Sequence, residues 1–330
     1  MYSTSTQKKE WTFTYEELAE KRRNANQAFR NKQIELLRPG EEEILLTVEE
    51  EAQMLGVDKR DIFNPMYIIL VRCYFRFSDS FRPSIWPSVR WTAYAYFKRL
   101  FLGWSVMEAS PKIVMMACFY LAMKVEEFYV TIDESGTPEQ NTTRILGLEP
   151  EIMRALRYHI TIHCPFRPFE GHLVEMKTRM LLLNFNVETI REPAEQFFRK
   201  ALLSDVMLMY PPSQIALAAL KYGLDSLEKS PDVLAEFLQK LMGIEDDWKG
   251  MHGDALQTID KLIIRQVMRH KLNNIINTVN SSGKPLSQQE HAAIQARTED
   301  WAALNLALEE RRQSKPGYTK KEEPVDSDDE

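Results

Sequence analysis

From Ile113 to Val125 nearly every residue is apolar or small, and at helical spacing these positions cover all faces of the turn. The pattern predicts a helix over 110–128, buried on all sides, at the centre of an all-helical domain. Ser110 suits its N-cap and Pro111 its first helical position. The early proline and the charged end at Lys124, Glu126 and Glu127 mark a core helix rather than a membrane span.

Upstream, residues 1–12 are polar and expected to be loose. A capping box at Thr14 and Glu17 opens a charged helix running to about Leu37, a surface arm anchored by Leu18, Phe29, Ile34 and Leu36. Pro39 and Gly40 end it. Thr47 and Glu50 repeat the capping box, and the helix they start is expected to break at Gly56 and again at Asn64-Pro65, resuming from Met66 toward Ser78. Pro83 and Pro87 frame a turn before an apolar helix over Ser88–Leu102. Residues Ile132–Thr143, with Gly136 and Pro138, read as a loop. Ile145, Leu148, Ile152 and Leu156 then recur at three- and four-residue steps, an amphipathic helix over 144–160.

His163–Gly171 holds two prolines and no apolar period, and marks a domain boundary. A second helical series follows over 169–183, 189–209, 212–227, 231–242 and 254–280. SPKIVMMA at 110–117 echoes PPSQIALAAL at 211–220, roughly a hundred residues on, which points to a duplicated helical domain. Gly283-Lys284-Pro285 breaks the chain, and a third capping box, Ser287 with Glu290, opens a polar helix to about Arg312. The expected organisation is an arm over 1–46, two repeats over 47–163 and 164–282, a helix over 283–313, and a disordered acidic tail over 314–330.

Composition narrows the function classes. The net charge is −6, against the basic surplus of a nucleic-acid binder. Cys73, Cys118 and Cys164 lie far apart, form no CxxC pair, and read as buried thiols of a reducing compartment. No signal peptide opens the chain and no uncharged apolar stretch reaches membrane length, so a soluble intracellular protein is expected. Glycine-rich phosphate loops, H-E-x-x-H and G-x-S-x-G are all absent, the six histidines lack metal-ligand spacing, and the adjacent His163 and Cys164 sit on a proline hinge unsuited to a nucleophile and its base. No catalytic residue, metal or cofactor is expected. The 15 methionines read as gap-fillers on apolar faces.

What remains is a binding module whose surface is formed by the central helix and its neighbour. Lys124 breaks the stripe of Ile113, Ala117, Tyr120 and Leu121, where an apolar residue is expected. It is either a helix-end lysine snorkelling outward to suit the C-terminal dipole, or a functional contact, since local violations of pattern mark functional sites. Ser327, followed by Asp328, Asp329 and Glu330, has the pattern of a site for an acid-directed kinase.

YFKRLFLGWSVMEASPKIVMMACFYLAMKVEEF resembles the first box of the cyclin family. PFRPFEGHLVEMKTR at 165–179, DVMLMYPPSQIALAAL at 205–220 and QKKEWTF at 7–13 resemble its H-type members in particular, so the likeness covers about residues 7–280. It implies two tandem five-helix cyclin boxes with flanking N- and C-terminal helices, and a regulatory rather than catalytic role. By this resemblance Lys124 and Glu149 contact the αC helix of a cyclin-dependent kinase, with Val125, Met153, Tyr158 and Ile160 as apolar neighbours. It further implies a CDK-activating kinase associated with TFIIH that phosphorylates kinase activation loops and the RNA polymerase II tail. The partners it implies are the kinase catalytic subunit, a RING-finger assembly factor and the TFIIH core, in the nucleus, with no direct nucleic acid and no membrane.

Two features depart from the family pattern. Pro150 follows Glu149, so the helix either begins there or is kinked. Residues 56–72 look longer than the family's first helix. Two other readings stay open: another transcriptional cyclin such as cyclin C, and a cyclin-fold general transcription factor binding promoter DNA in the manner of TFIIB, which needs a basic face.

Overall fold

The computed structural model describes residues 2–61, 85–128, 139–241, 255–282 and 287–314. Among these residues the chain is all-α, with short 3-10 turns and no strand. It divides into two compact units. One comprises 1–12 with 163–283, the other 13–162 with 284–330.

In the larger unit, α2 (Tyr15–Gln33) starts from the Thr14 capping box, in which both reciprocal hydrogen bonds form. A 3-10 turn over Glu41–Ile44 leads to α3 (Val48–Asp61), where Thr47 and Glu50 also exchange hydrogen bonds. Next come α4 (Pro87–Leu100), α5 (Pro111–Val125) and α6 (Glu139–Ala155). The terminal helix α13 (Gln288–Gln313) has the third complete capping box, from Ser287. Helix α5 packs on α3, α4 and α6, and α13 packs on α3 and the Glu41–Ile44 turn. Burial of Trp91, Tyr94, Phe97, Val114, Cys118, Ile152 and Leu156 builds the core between α4, α5 and α6.

The smaller unit holds α1 (Thr6–Glu10), α7 (Phe166–Arg179), α8 (Arg191–Leu203), α9 (Val206–Met209), α10 (Pro212–Ser226), α11 (Pro231–Leu241) and α12 (Ala255–Ser281). Here α10 is central and packs on α7, α8, α9, α11 and α12. Phe197, Leu173, Ile215, Ala218, Phe237 and Ile275 fill its core.

Several expectations are corrected. Residues 2–11 are ordered: Trp11 is buried, Gln7 accepts a hydrogen bond from the His163 backbone N–H at 2.7 Å, and the Tyr2 ring meets the His163 ring edge-on. Helix α3 runs through Gly56, since one glycine costs a helix only about 1 kcal/mol. Pro87 starts α4 at its first turn rather than framing a turn. Helix α6 begins at Glu139, inside the stretch read as loop, and ends at Ala155, short of 160. The proline-bearing segment 163–171 is largely the first turns of α7, which stops at Arg179 and leaves Leu181 and Leu182 exposed. Ser204 and Asp205 separate α8 from α9. Ile34 is exposed and does not anchor α2, whereas Leu18 and Phe29 are buried. Cys118 is fully buried but Cys164 is only half-buried. The expected Met66–Ser78 helix, most of 56–72, Cys73, the tail and Ser327 lie outside the described residues.

Candidate functional site

Helix α5 is the better-defined half of the site. Pro111 occupies its first turn, and Ser110 stands at the N-cap, though its hydroxyl makes no capping bond. The helix is not buried on all sides: Ile113, Met116 and Tyr120 are half-buried and Lys124 is exposed, so one stripe opens outward. Glu126 caps α5 and accepts a 2.8 Å hydrogen bond from the hydroxyl of buried Thr92 on α4. Glu127 takes a left-handed φ of 55°, and the Phe128 N–H closes the turn onto the Met123 carbonyl at 2.9 Å.

Glu149 comes from α6, which packs on α5. The Lys124 ammonium donates to both of its carboxylate oxygens, at 2.9 and 2.7 Å. The Lys124 Nζ also lies 4.3 Å from the centroid of the Tyr120 ring, a cation–π contact one turn back along α5. The lysine side chain is 48% exposed and the glutamate 18%. Partial burial pulls the Lys124 ammonium down, but the Glu149 hydrogen bond and charge, with Tyr120, outweigh it and hold the group above its ordinary 10.5. The lysine is therefore charged and pre-oriented at neutral pH.

Pro150 lies inside α6, which neither begins nor ends there. It is exposed, and without an N–H it cannot serve the carbonyl one turn back. Glu149 reaches Lys124 all the same. Val125 and Met153 are half-buried on the same two helices, Tyr158 is 63% exposed beyond the end of α6, and Ile160 is half-buried two residues later. Each of the six residues singled out in the sequence thus lies on α5, on α6, or in the turn after α6. The sequence reading missed Tyr120, although its four-residue spacing from Lys124 was a usable signal. It also missed Tyr96 and Arg99 of α4, whose side chains reach the backbone of 159–160.

A charged pair stands among half-buried apolar side chains, an arrangement suited to binding. The described residues contain no His, Cys, Asp or Glu group able to hold a metal ion. No helix among them is long and apolar enough to cross a membrane.

Residues 164–282 match the cyclin C-terminal domain. The chain is 30% identical to a protein named cyclin-H from Xenopus laevis, over 96% of this chain and 92% of that one. It is 29% identical to cyclin mcs2 of Schizosaccharomyces pombe, over 66% and 68% of the two chains. Its fold matches a chain of the CAK complex from Chaetomium thermophilum bound to ATP-gamma-S, with a TM-score of 0.67 at 18% identity and 97% of both chains covered. It also matches a chain of the yeast TFIIK complex of Kin28, Ccl1 and Tfb3, with a TM-score of 0.59 at 20% identity over 84% of this chain.

Proposed function

The chain belongs to the cyclin H family, and from that membership we propose that it is the regulatory subunit of a CDK-activating kinase, docking on its catalytic subunit through Lys124, Glu149, Val125, Met153, Tyr158 and Ile160. The observation that carries the docking face is the Lys124–Glu149 pair, its exposed lysine pre-oriented by Tyr120 and half-buried Glu149, and bordered by half-buried apolar groups. A face of this kind packs on the kinase αC helix and favours its inward position, in which the kinase's own Lys–Glu pair aligns the nucleotide. The chain transfers no phosphate; it binds one kinase conformation better than the other and shifts the population. The substrates would be kinase activation loops and the RNA polymerase II tail. The further partners would be a RING-finger assembly factor and the TFIIH core, in the nucleus, with Ser327 as a phosphorylation site in the tail.

The test is activity of the kinase catalytic subunit on a polymerase-tail peptide, with and without this chain, with and without the assembly factor. The wild-type chain should stimulate, and a folded Lys124→Ala/Glu149→Ala variant should not. Equal stimulation by both would remove the pair from the interface. Steep salt-dependent binding to promoter DNA, with no stimulation, would favour the promoter-binding reading instead.

A further inference from the structure

The turn that follows α6 is unusual. Arg157 and Tyr158 adopt left-handed φ values of 53° and 59° in succession, without a glycine. Elsewhere among the described residues such a non-glycine φ occurs singly, at Glu127 and Glu228. A left-handed φ crowds the Cβ of an L-residue against the backbone, and two in a row need support from outside the turn. Part of that support is local: the N–H groups of Arg157, Tyr158 and His159 bond to the carbonyls of Arg154, Met153 and Leu156, each at 2.9 Å. The rest comes from α4. Tyr96, wholly buried, donates its hydroxyl to the Ile160 carbonyl at 2.5 Å. Arg99, only 3% exposed, donates its guanidinium Nη1 to the His159 carbonyl at 2.9 Å. A buried cation on a carbonyl is a charge-assisted bond and holds its partner firmly.

We propose that Tyr96 and Arg99 are positioning residues for the docking face: from inside the core they template the left-handed turn that holds Tyr158 outward and sets Ile160 beside it. This rests on the docking reading above and adds to it a pair of residues that touch no partner. The two side chains lie three positions apart on one face of α4 and grip adjacent carbonyls, so the turn is fixed at two points and cannot swivel about one. Partner affinity would then depend on buried groups as well as on the exposed ones.

The test uses the full chain and the kinase catalytic subunit, with two readouts: affinity, and amide hydrogen exchange at Tyr158 in the free chain. Tyr96→Phe keeps the ring and removes one hydrogen bond. It is expected to weaken kinase binding on the order of fivefold and to speed Tyr158 exchange by a similar factor. Arg157→Gly, which adopts a positive φ without steric strain, is expected to leave affinity unchanged alone and to restore it in the Tyr96→Phe background. Lys124→Ala should weaken binding without altering Tyr158 exchange. Wild-type affinity in Tyr96→Phe while Lys124→Ala binds weakly would overturn the template and keep the docking face. Failure of Arg157→Gly to rescue would likewise overturn it. Wild-type affinity in both Tyr96→Phe and Lys124→Ala/Glu149→Ala would bring down the docking face itself.

Discussion

The two central helices, α5 and α10, are built to one pattern and put to different uses. A constant register pairs Pro111 with Pro212, Val114 with Ile215, Ala117 with Ala218 and Met123 with Leu224, all buried. Their ends correspond bond for bond. Glu126 N–H to the Ala122 carbonyl matches Leu227 N–H to Gly223, and Phe128 N–H to Met123 matches Lys229 N–H to Leu224. Glu127 and Glu228 take the same left-handed φ, 55° and 53°. The duplication seen weakly in the sequence is thus a repeat of backbone geometry. The same register pairs Tyr120 with Lys221 and Lys124 with Asp225. In α5 the lysine leaves its own helix for Glu149 on α6, whereas in α10 Asp225 turns back to Lys221, four residues earlier, at 2.5 Å. One pair bridges two helices on an exposed face; the other only decorates its own helix.

The sharpest way to break this contrast is to remove both bridging partners. Lys124→Ala/Glu149→Ala should weaken kinase binding on the order of a hundredfold if the pair is desolvated at the centre of the interface. Calorimetric titration against the kinase subunit would measure it. The same variant should change the stability of the free chain by only about 1 kcal/mol, because the half-exposed lysine leaves its attraction to Glu149 screened by water.

A second contrast lies inside the cores, where Ala122 is the counterpart of Gly223. A Cβ on Gly223 would stand 2.5 Å from the Ile190 Cγ2 and 3.2 Å from the Ile190 carbonyl oxygen. Gly223→Ala should therefore destabilise by about 1–3 kcal/mol, despite the better helix propensity of alanine. Ala122→Gly should cost about 1–2 kcal/mol, from lost helix propensity and from the fully buried methyl it removes. Urea unfolding of both variants would show whether the repeat closes more tightly around α10 than around α5.

Acid offers a third measurement, because the box around α5 also carries α13. Glu41 accepts two hydrogen bonds from Arg311 at 2.6 and 2.7 Å, and this guanidinium pulls its carboxyl down to about 2. A carboxylate lowered on folding stabilises fully above its ordinary 4.5, and that contribution is lost as pH falls through about 2. Glu50, held by Arg297, is also lowered, its burial outweighed by the arginine. Protection of the α13 amides, taken relative to the intrinsic exchange rate at each pH, should fall across that acid window, and a Glu41→Gln chain should show less of the change. The smallest effect is expected at Asp225→Ala, about 0.5 kcal/mol or less, with kinase affinity untouched.

Local signals were legible where their chemistry is local. Thr14, Thr47 and Ser287 each met a glutamate three residues on, and all three formed the reciprocal bonds expected of them. The apolar run over 113–125 became a central helix, and Lys124, which breaks its pattern, became half of an ion pair. Other signals misled because distant packing overruled them. Residues 2–11 look polar, yet Trp11 is buried and Gln7 accepts a hydrogen bond from the backbone of His163, over 150 residues away in the chain. Pro150 pointed to a helix that begins there or is kinked, and the helix begins well upstream, at Glu139.

The sequence by itself determined the all-α class, the three capped helix starts at Thr14, Thr47 and Ser287, the doubled core pattern and the identity of the exceptional lysine. Periodicity, capping and composition act over a few residues and leave their mark in the letters. Tertiary structure alone decided which carboxylate Lys124 meets, that α10 admits no Cβ at Gly223, and that Tyr96 and Arg99 hold the backbone at 159–160. Those outcomes depend on how closely two helices approach and on where a buried donor finds its acceptor. Neither distance is written in the spacing of residues along one helix.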